Sequence, residues 1–112
     1  MLHNPKCSKS RATLALLEER GVDFSTRLYL EDPLDTDELR ELGKRLGRPV
    51  IDFTRTGQAE FAEAGLSKDS DENELVVSMA AAPILMERPV VVRGNRAAMG
   101  RPIEEVVALL ES

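Results

Sequence analysis

The 112 residues predict an α/β fold with a small mixed sheet, helices packed against it and a helical insertion in the middle. Three features carry that prediction. An apolar helical pattern from Ser10 to Arg20 stands between two short apolar runs, which reads as strand, helix and parallel strand. Between Pro33 and Pro83 the periodicity is almost wholly helical. Beyond Pro89 it changes to a β-branched run, a turn, a second short run and one last helix.

Taken in order, Met1 and Leu2 supply a stub of strand, expected at a sheet edge. Ala12, Leu14, Ala15, Leu16 and Leu17 give the first helix a broad apolar face, and Gly21 ends it. Val22 to Leu30, with Val22, Phe24, Leu28 and Tyr29, is the expected second strand. Pro33 breaks the chain, and Asp35 followed by Glu38 three residues on reads as a capping box. Leu39, Leu42, Gly43 and Leu46 continue one helix face up to Gly47. Val50, Ile51 and Phe53 are core candidates in the connection that follows. Phe61 is the inward residue of a short helix expected over 57–64. Asp71 to Glu74 cap another helix, carrying Leu75, Val76, Met79 and Ala80, which Pro83 ends near Ala82. Met79 and Met86 are read as core filler. Residues of about 34–83 are thus an insertion, and 1–112 form one domain. The last third is a hairpin, residues 89–93 and 96–99 about Gly94-Asn95. In the final helix Pro102 sits at N1, Glu104 and Glu105 in the first turn, and Ile103, Val106, Val107 and Leu110 on the apolar face.

Composition narrows the function classes. The net charge of −5 argues against non-specific nucleic-acid binding. Acid is concentrated at residues 31–41 and 68–74, whereas the start of the chain and residues 88–101 are basic, so a small anion can be held locally. No apolar run suits a signal peptide or a membrane span, and a single cysteine suits a reducing cytosol; a cytoplasmic protein is expected.

The chemistry gathers in His3-Asn4-Pro5-Lys6-Cys7-Ser8-Lys9-Ser10-Arg11, which holds the only cysteine and the only histidine. A cysteine entering a helix meets unpaired backbone N–H groups and the positive end of the dipole, and both favour the thiolate. Lys6, Lys9 and Arg11 add positive charge. His3 either stabilises the thiolate as a cation or orients it through Asn4 and the loop. The competing readings are a buried structural cysteine and a bystander histidine. One cysteine and one histidine make half of a zinc ligand set, so no metal is expected. With Ser10 where a thioredoxin-like pair would have its second thiol, an adduct on Cys7 needs an external thiol to resolve it. Arg55, Arg88 and Arg101 each stand at a junction, beside Thr54, Pro89 or Pro102. Their planar forks suit a tetrahedral oxyanion, though three surface arginines fit the same spacing.

These residues carry a resemblance over nearly the whole chain. His3-Asn4-Pro5 leading to Cys7, then Ser8-Lys9-Ser10-Arg11, resembles the catalytic loop of the glutaredoxin-coupled arsenate reductase family, proteins of thioredoxin-like fold. Glu31-Asp32-Pro33 with Asp37-Glu38-Leu39 resembles that family's second-strand exit, and residues 83–92 and Gly100-Arg101-Pro102 resemble its later segments. The resemblance implies that Cys7 attacks arsenate to form an arsenic–sulfur adduct, which glutathione attacks and glutaredoxin reduces to release arsenite. It makes Cys7, His3, Arg55, Arg88 and Arg101 catalytic, and Asn4, Ser8, Lys9, Ser10 and Arg11 substrate-binding together with the three arginines. It implies glutathione as co-substrate, no bound cofactor or metal, glutaredoxin as partner, a monomer, and a cis bond before Pro89. Two features depart from the pattern: there are fewer first-strand residues before His3, and Cys7-Ser8-Lys9-Ser10 replaces Cys-Gly-Thr-Ser. Spx-type regulators are more distant relatives and typically carry Cys-x-x-Cys. The alternatives are therefore a non-enzymatic regulator or adaptor, or a thiol oxidoreductase of another substrate.

Overall fold

The computed structural model describes residues 1–87, 89–100 and 103–111. They form two compact units, Met1–Asp32 with Arg88–Ser112, and Pro33–Glu87.

In the first unit, helix α1 spans Ser8–Glu19, starting two residues earlier than its apolar pattern. Gly21 takes the left-handed conformation just beyond it, at φ 65°. Strands β1 (Val90–Arg93) and β2 (Arg96–Met99) pair antiparallel, with Val90 opposite Met99 and Arg93 opposite Arg96. Two residues remain for the turn, and Gly94, at φ 59°, supplies the positive φ that such a turn needs. Helix α5 covers Glu104–Glu111, and the Arg93 guanidinium donates to the Leu109 and Leu110 carbonyls near its end. The core joins Leu17, Val91, Ala98, Val106 and Leu109. Leu109, absent from the expected apolar face, is more buried than Val107 and Leu110.

Two expectations are corrected here. Leu2 is not an edge: it bridges Arg27 in parallel and Val90 in antiparallel sense, and so lies between them. Residues 22–30 do not form a strand; Arg27 alone pairs, with Leu2. The neighbouring backbone is short: Met1–His3 bonds residues 25–27, with the Arg27 N–H donating to the Met1 carbonyl at 2.8 Å and the His3 N–H to the Arg27 carbonyl at 2.9 Å. The Met1 ammonium donates to the Ser25 carbonyl at 2.8 Å, and a cavity of about 540 Å³ opens there between residues 22–25 and 91–93. Apolar residues do not make a strand without a partner ladder.

In the second unit, α2 (Thr36–Leu46) begins with the expected capping box. The Asp35 side chain accepts from the Glu38 N–H at 2.8 Å, and the Asp35 N–H donates to Glu38 Oε1 at 3.1 Å. Gly47 closes α2 at φ 67°. A 3-10 turn, Val50–Phe53, buries Val50 and Phe53. A Cβ on Gly43 would stand 3.3 Å from the Arg48 carbonyl and 3.6 Å from the Phe53 ring, so glycine lets α2 approach closely. Helix α3 is short, Ala59–Glu63, with Phe61 inward. Helix α4, Glu72–Ala81, is capped by Asp71 and stops at Ala82, and Pro83 opens a 3-10 turn, Pro83–Leu85. Helices α2 and α4 pack together, with Leu39, Leu42, Leu75, Val76 and Met79 buried. Met86 is buried as well.

Candidate functional site

The loop before α1 is closed by bonds among its own residues. Proline suits the second position of a turn, and the Cys7 N–H donates to the Asn4 carbonyl at 3.0 Å across Pro5 and Lys6. Asn4 Oδ1 accepts from the Lys6 N–H at 3.1 Å, the local bond that makes asparagine a turn residue. The Asn4 N–H donates in turn to Ser10 Oγ at 3.0 Å. That hydroxyl lies 2.6 Å from His3 Nδ1. Arg11 folds back over the loop and donates through Nη1 to the Pro5 carbonyl at 2.9 Å. On the other side the His3 N–H donates to the Arg27 carbonyl at 2.9 Å.

Cys7 is the N-cap of α1, at φ −98° and ψ 124°. Its carbonyl accepts the first helical bond, from the Arg11 N–H at 3.0 Å. The amides of Ser8, Lys9 and Ser10 therefore lie in the first turn, where a helix offers donors without intrahelical acceptors. No acidic side chain occupies that turn. A thiolate or an anion at this end meets a field of favourable sign. Cys7 is only 7% exposed and Ser10 fully buried, whereas Ser8, Lys9 and Arg11 are exposed.

Burial pushes the His3 pKa down from the ordinary 6.5, and the Met1 ammonium and the Arg11 guanidinium push it the same way. All three favour the neutral ring. Ser10 Oγ, which accepts from the Asn4 N–H, holds the ring at Nδ1, donating to it or accepting from it according to the tautomer.

Arg55 belongs to the Pro33–Glu87 unit. Its N–H donates to the Leu85 carbonyl at 2.7 Å, beside an antiparallel bridge between Thr54 and Met86. Arg88 and Arg101 lie outside the described residues, as do Pro102 and the peptide bond into Pro89. The structure thus brings together His3, Asn4, Cys7, Ser10 and Arg11, and it places Ser8 and Lys9 on the same first turn. Two further residues escaped the sequence reading. A Cβ on Gly100 would lie 2.5 Å from Pro89 Cγ and 2.7 Å from Thr13 Oγ1, so only glycine fits beneath Pro89. Thr13 is fully buried, and its hydroxyl donates to the Lys9 carbonyl at 3.1 Å. The one available signal was Gly100 itself, next to Arg101. Among the described residues no three His, Cys, Asp or Glu side chains gather as a metal site, and no helix is long and apolar enough to cross a membrane.

The profile of the ArsC family matches residues 2–109. The arsenate reductase of Neisseria meningitidis serogroup A is 40% identical over 112 residues, which cover 98% of this chain and 96% of that protein. The uncharacterised Escherichia coli K12 protein YfgD is 44% identical over 110 residues, covering 96% and 92%. A solved structure of an arsenate reductase from Vibrio cholerae superposes with a TM-score of 0.90 at 40% identity, over 96% of this chain and 92% of that one. The α/β, thioredoxin-like architecture expected from the sequence is the architecture these neighbours share.

Proposed function

We propose that this chain, which belongs to the ArsC family, reduces arsenate to arsenite with Cys7 as nucleophile and with glutathione and glutaredoxin supplying the electrons. The observation that carries the reading is the placement of Cys7 as N-cap of α1, in a loop tied at both ends to Asn4 and Ser10. The relatives named as arsenate reductases in N. meningitidis and V. cholerae support the choice of oxyanion.

In the proposed reaction the Cys7 sulfur attacks arsenic and an oxygen leaves as water, so that arsenic remains pentavalent in the adduct. Glutathione then attacks arsenic and a second oxygen leaves as water, and a glutaredoxin thiol takes the glutathione sulfur from arsenic. Two thiols become one mixed disulfide and arsenic gains their two electrons to become trivalent. Water then hydrolyses the Cys7 sulfur–arsenic bond, so that arsenite leaves and Cys7 regains its proton. The chain has a single cysteine, so the second and third sulfurs come from outside it. The first-turn amides of α1, with Lys9 and Arg11 near them in sequence, would offset charge on the arsenate oxygens. His3 is proposed to act as a neutral ring held at Nδ1 by Ser10, rather than as a counter-ion. Arg55, Arg88 and Arg101 are assigned to the oxyanion on the resemblance of their sequence positions. No bound cofactor or metal takes part in the proposed reaction, and the protein is proposed to act in the cytoplasm as a monomer.

The test is arsenate reduction in the presence of glutathione and glutaredoxin, with Cys7→Ser alongside. Turnover that depends on both thiols, with an arsenic-bridged Cys7–glutathione species seen by mass spectrometry, is the expected result. Sustained turnover with thioredoxin alone would sink the glutaredoxin assignment. A Cys7 that forms mixed disulfides but never turns arsenate over would favour the regulator reading.

A further inference from the structure

Arg55 is held by more than its backbone. The Gln58 N–H donates to the Arg55 carbonyl at 3.2 Å, and this four-residue turn brings the two side chains to the same side. With its amide oxygen turned to the guanidinium, Gln58 accepts from Nη1 at 2.8 Å and from Nη2 at 2.9 Å; the opposite orientation would set donors against donors. Gln58 also stands at the N-cap of α3, yet its side chain makes no capping bond there. Glutamine is a poor choice for a cap. Its amide is committed to Arg55 instead.

We infer that Gln58 is the positioning residue of Arg55, gripping the end of its guanidinium through both Nη atoms and so aiming the remaining N–H groups at an oxyanion. This rests on the reading of Arg55 as an oxyanion-binding residue and adds the device that aims it. A guanidinium has five N–H donors, and Gln58 takes one from each Nη, so a complete Nε–Nη edge stays available for a second fork. The grip comes from a neutral group, so the positive charge is not cancelled where an anion would meet it. Thr54, Arg55, Thr56, Gly57, Gln58 and Glu87 line a cavity of about 320 Å³, large enough for a tetrahedral oxyanion. Glu87 is the carboxylate on that wall, and a uniquely oriented Arg55 fork is what allows an anion to be taken beside it.

The experiment is equilibrium binding of arsenate by calorimetry to the full chain carrying Cys7→Ser, so that no covalent step intervenes. Gln58→Ala, Gln58→Leu, Gln58→Glu and Arg55→Ala are compared in that background, with thermal midpoints recorded. Loss of the amide acceptor in Gln58→Ala and Gln58→Leu is expected to weaken binding by about fivefold to tenfold, because a loose guanidinium loses the order that the fork supplies. Gln58→Glu, which keeps a bidentate acceptor, should return to within about threefold of the parent, the remainder being charge it withdraws from the anion. A merely structural role would lower the midpoint in all three Gln58 variants without this rescue. If Arg55→Ala weakens binding while Gln58→Ala and Gln58→Leu do not, the positioning role is overturned and the reading of Arg55 stands. If Arg55→Ala itself binds as the parent does, the reading of Arg55 falls, and the role of Gln58 falls with it.

Discussion

Residues 3–11 and residues 54–58 each hold a functional side chain in place, by opposite means. Around Cys7 the loop is tied by local bonds: Asn4 to Lys6 and Cys7, Ser10 to Asn4 and His3, Arg11 to Pro5. The bond from the His3 N–H to the Arg27 carbonyl comes from farther along the chain. Around Arg55 the backbone is fixed by chain far away in sequence, through Leu85, Met86 and the bond from the Glu87 N–H to the Phe53 carbonyl at 2.7 Å. Gln58 reaches its side chain locally. His3, Asn4, Cys7 and Ser10 are buried and the loop's polar groups bond to one another, so a change to His3, Asn4 or Ser10 disturbs fold and chemistry together. The arginine is half-exposed on a turn, so a change there should alter binding and leave the fold alone.

The largest expected effect removes the nucleophile. Cys7→Ser should keep the thermal midpoint close to the parent and cut arsenate turnover by a factor on the order of 10⁴ or more, as loss of a covalent nucleophile does elsewhere. Steady-state kinetics on folded protein measure it. Turnover within tenfold of the parent would move the nucleophile away from Cys7 and dissolve the contrast between the two regions.

The arginines come next. Arg88→Ala and Arg101→Ala should each remove about 2–4 kcal/mol of transition-state stabilisation, seen in kcat as well as in kcat/KM. Arg55→Ala should act mainly on KM for arsenate. Lysine at any of the three should restore only part, because it keeps the charge and loses the fork. Equal effects on kcat from all three would erase the distinction drawn between Arg55 and the other two. Full activity in all three would make them surface residues.

How much of this the sequence displayed follows the same division. The capping box of Asp35 and Glu38, the Asp71 cap and the Gly94-Asn95 hairpin were legible because their chemistry is local and needs a few residues only. The His3-to-Arg11 loop was legible as a motif, though its wiring through Ser10 was not, since Ser10 reads equally well as an exposed helix residue. Residues 22–30 misled because Val22, Phe24 and Leu28 have the right composition, while a ladder depends on whether another backbone arrives beside them. The charge state of His3 was hidden for a related reason. Burial decides it, and no pattern around residue 3 displays burial. Gly100 was opaque too, because its need for glycine comes from Pro89 and Thr13 on other segments.

A smaller effect tests the local wiring. Ser10→Ala leaves the buried Asn4 N–H and His3 Nδ1 without the hydroxyl they share, which should cost about 1–3 kcal/mol of stability. Kcat should fall as well, because the His3 ring is no longer held. Denaturant unfolding and kinetics on the same preparation read both. A Ser10→Ala protein as stable as the parent would mean that the loop is held by Asn4 and Arg11 alone.

The subtlest effect is the pH dependence of stability set by His3. Its folded pKa lies below the ordinary 6.5, chiefly through burial and then through the Met1 ammonium and Arg11. In the interval between the two values the unfolded chain binds a proton that the folded chain refuses. The stability His3 contributes is therefore present in full above pH 6.5 and is lost as pH falls through the folded pKa. The Met1 ammonium, itself held below its ordinary 8.0 by burial, contributes with the same sign nearer that pH. Glutamine at position 3 has no proton to gain, so His3→Gln removes the first effect and leaves the second. Urea midpoints measured from pH 8 to pH 5 should fall more steeply below pH 6.5 for the parent than for His3→Gln, and the two curves should run parallel above it. Parallel curves throughout would mean that His3 takes up its proton as readily folded as unfolded. The ring would then be a cation beside Cys7 in mild acid, and the nucleophile loop would be as adjustable as the turn at Arg55.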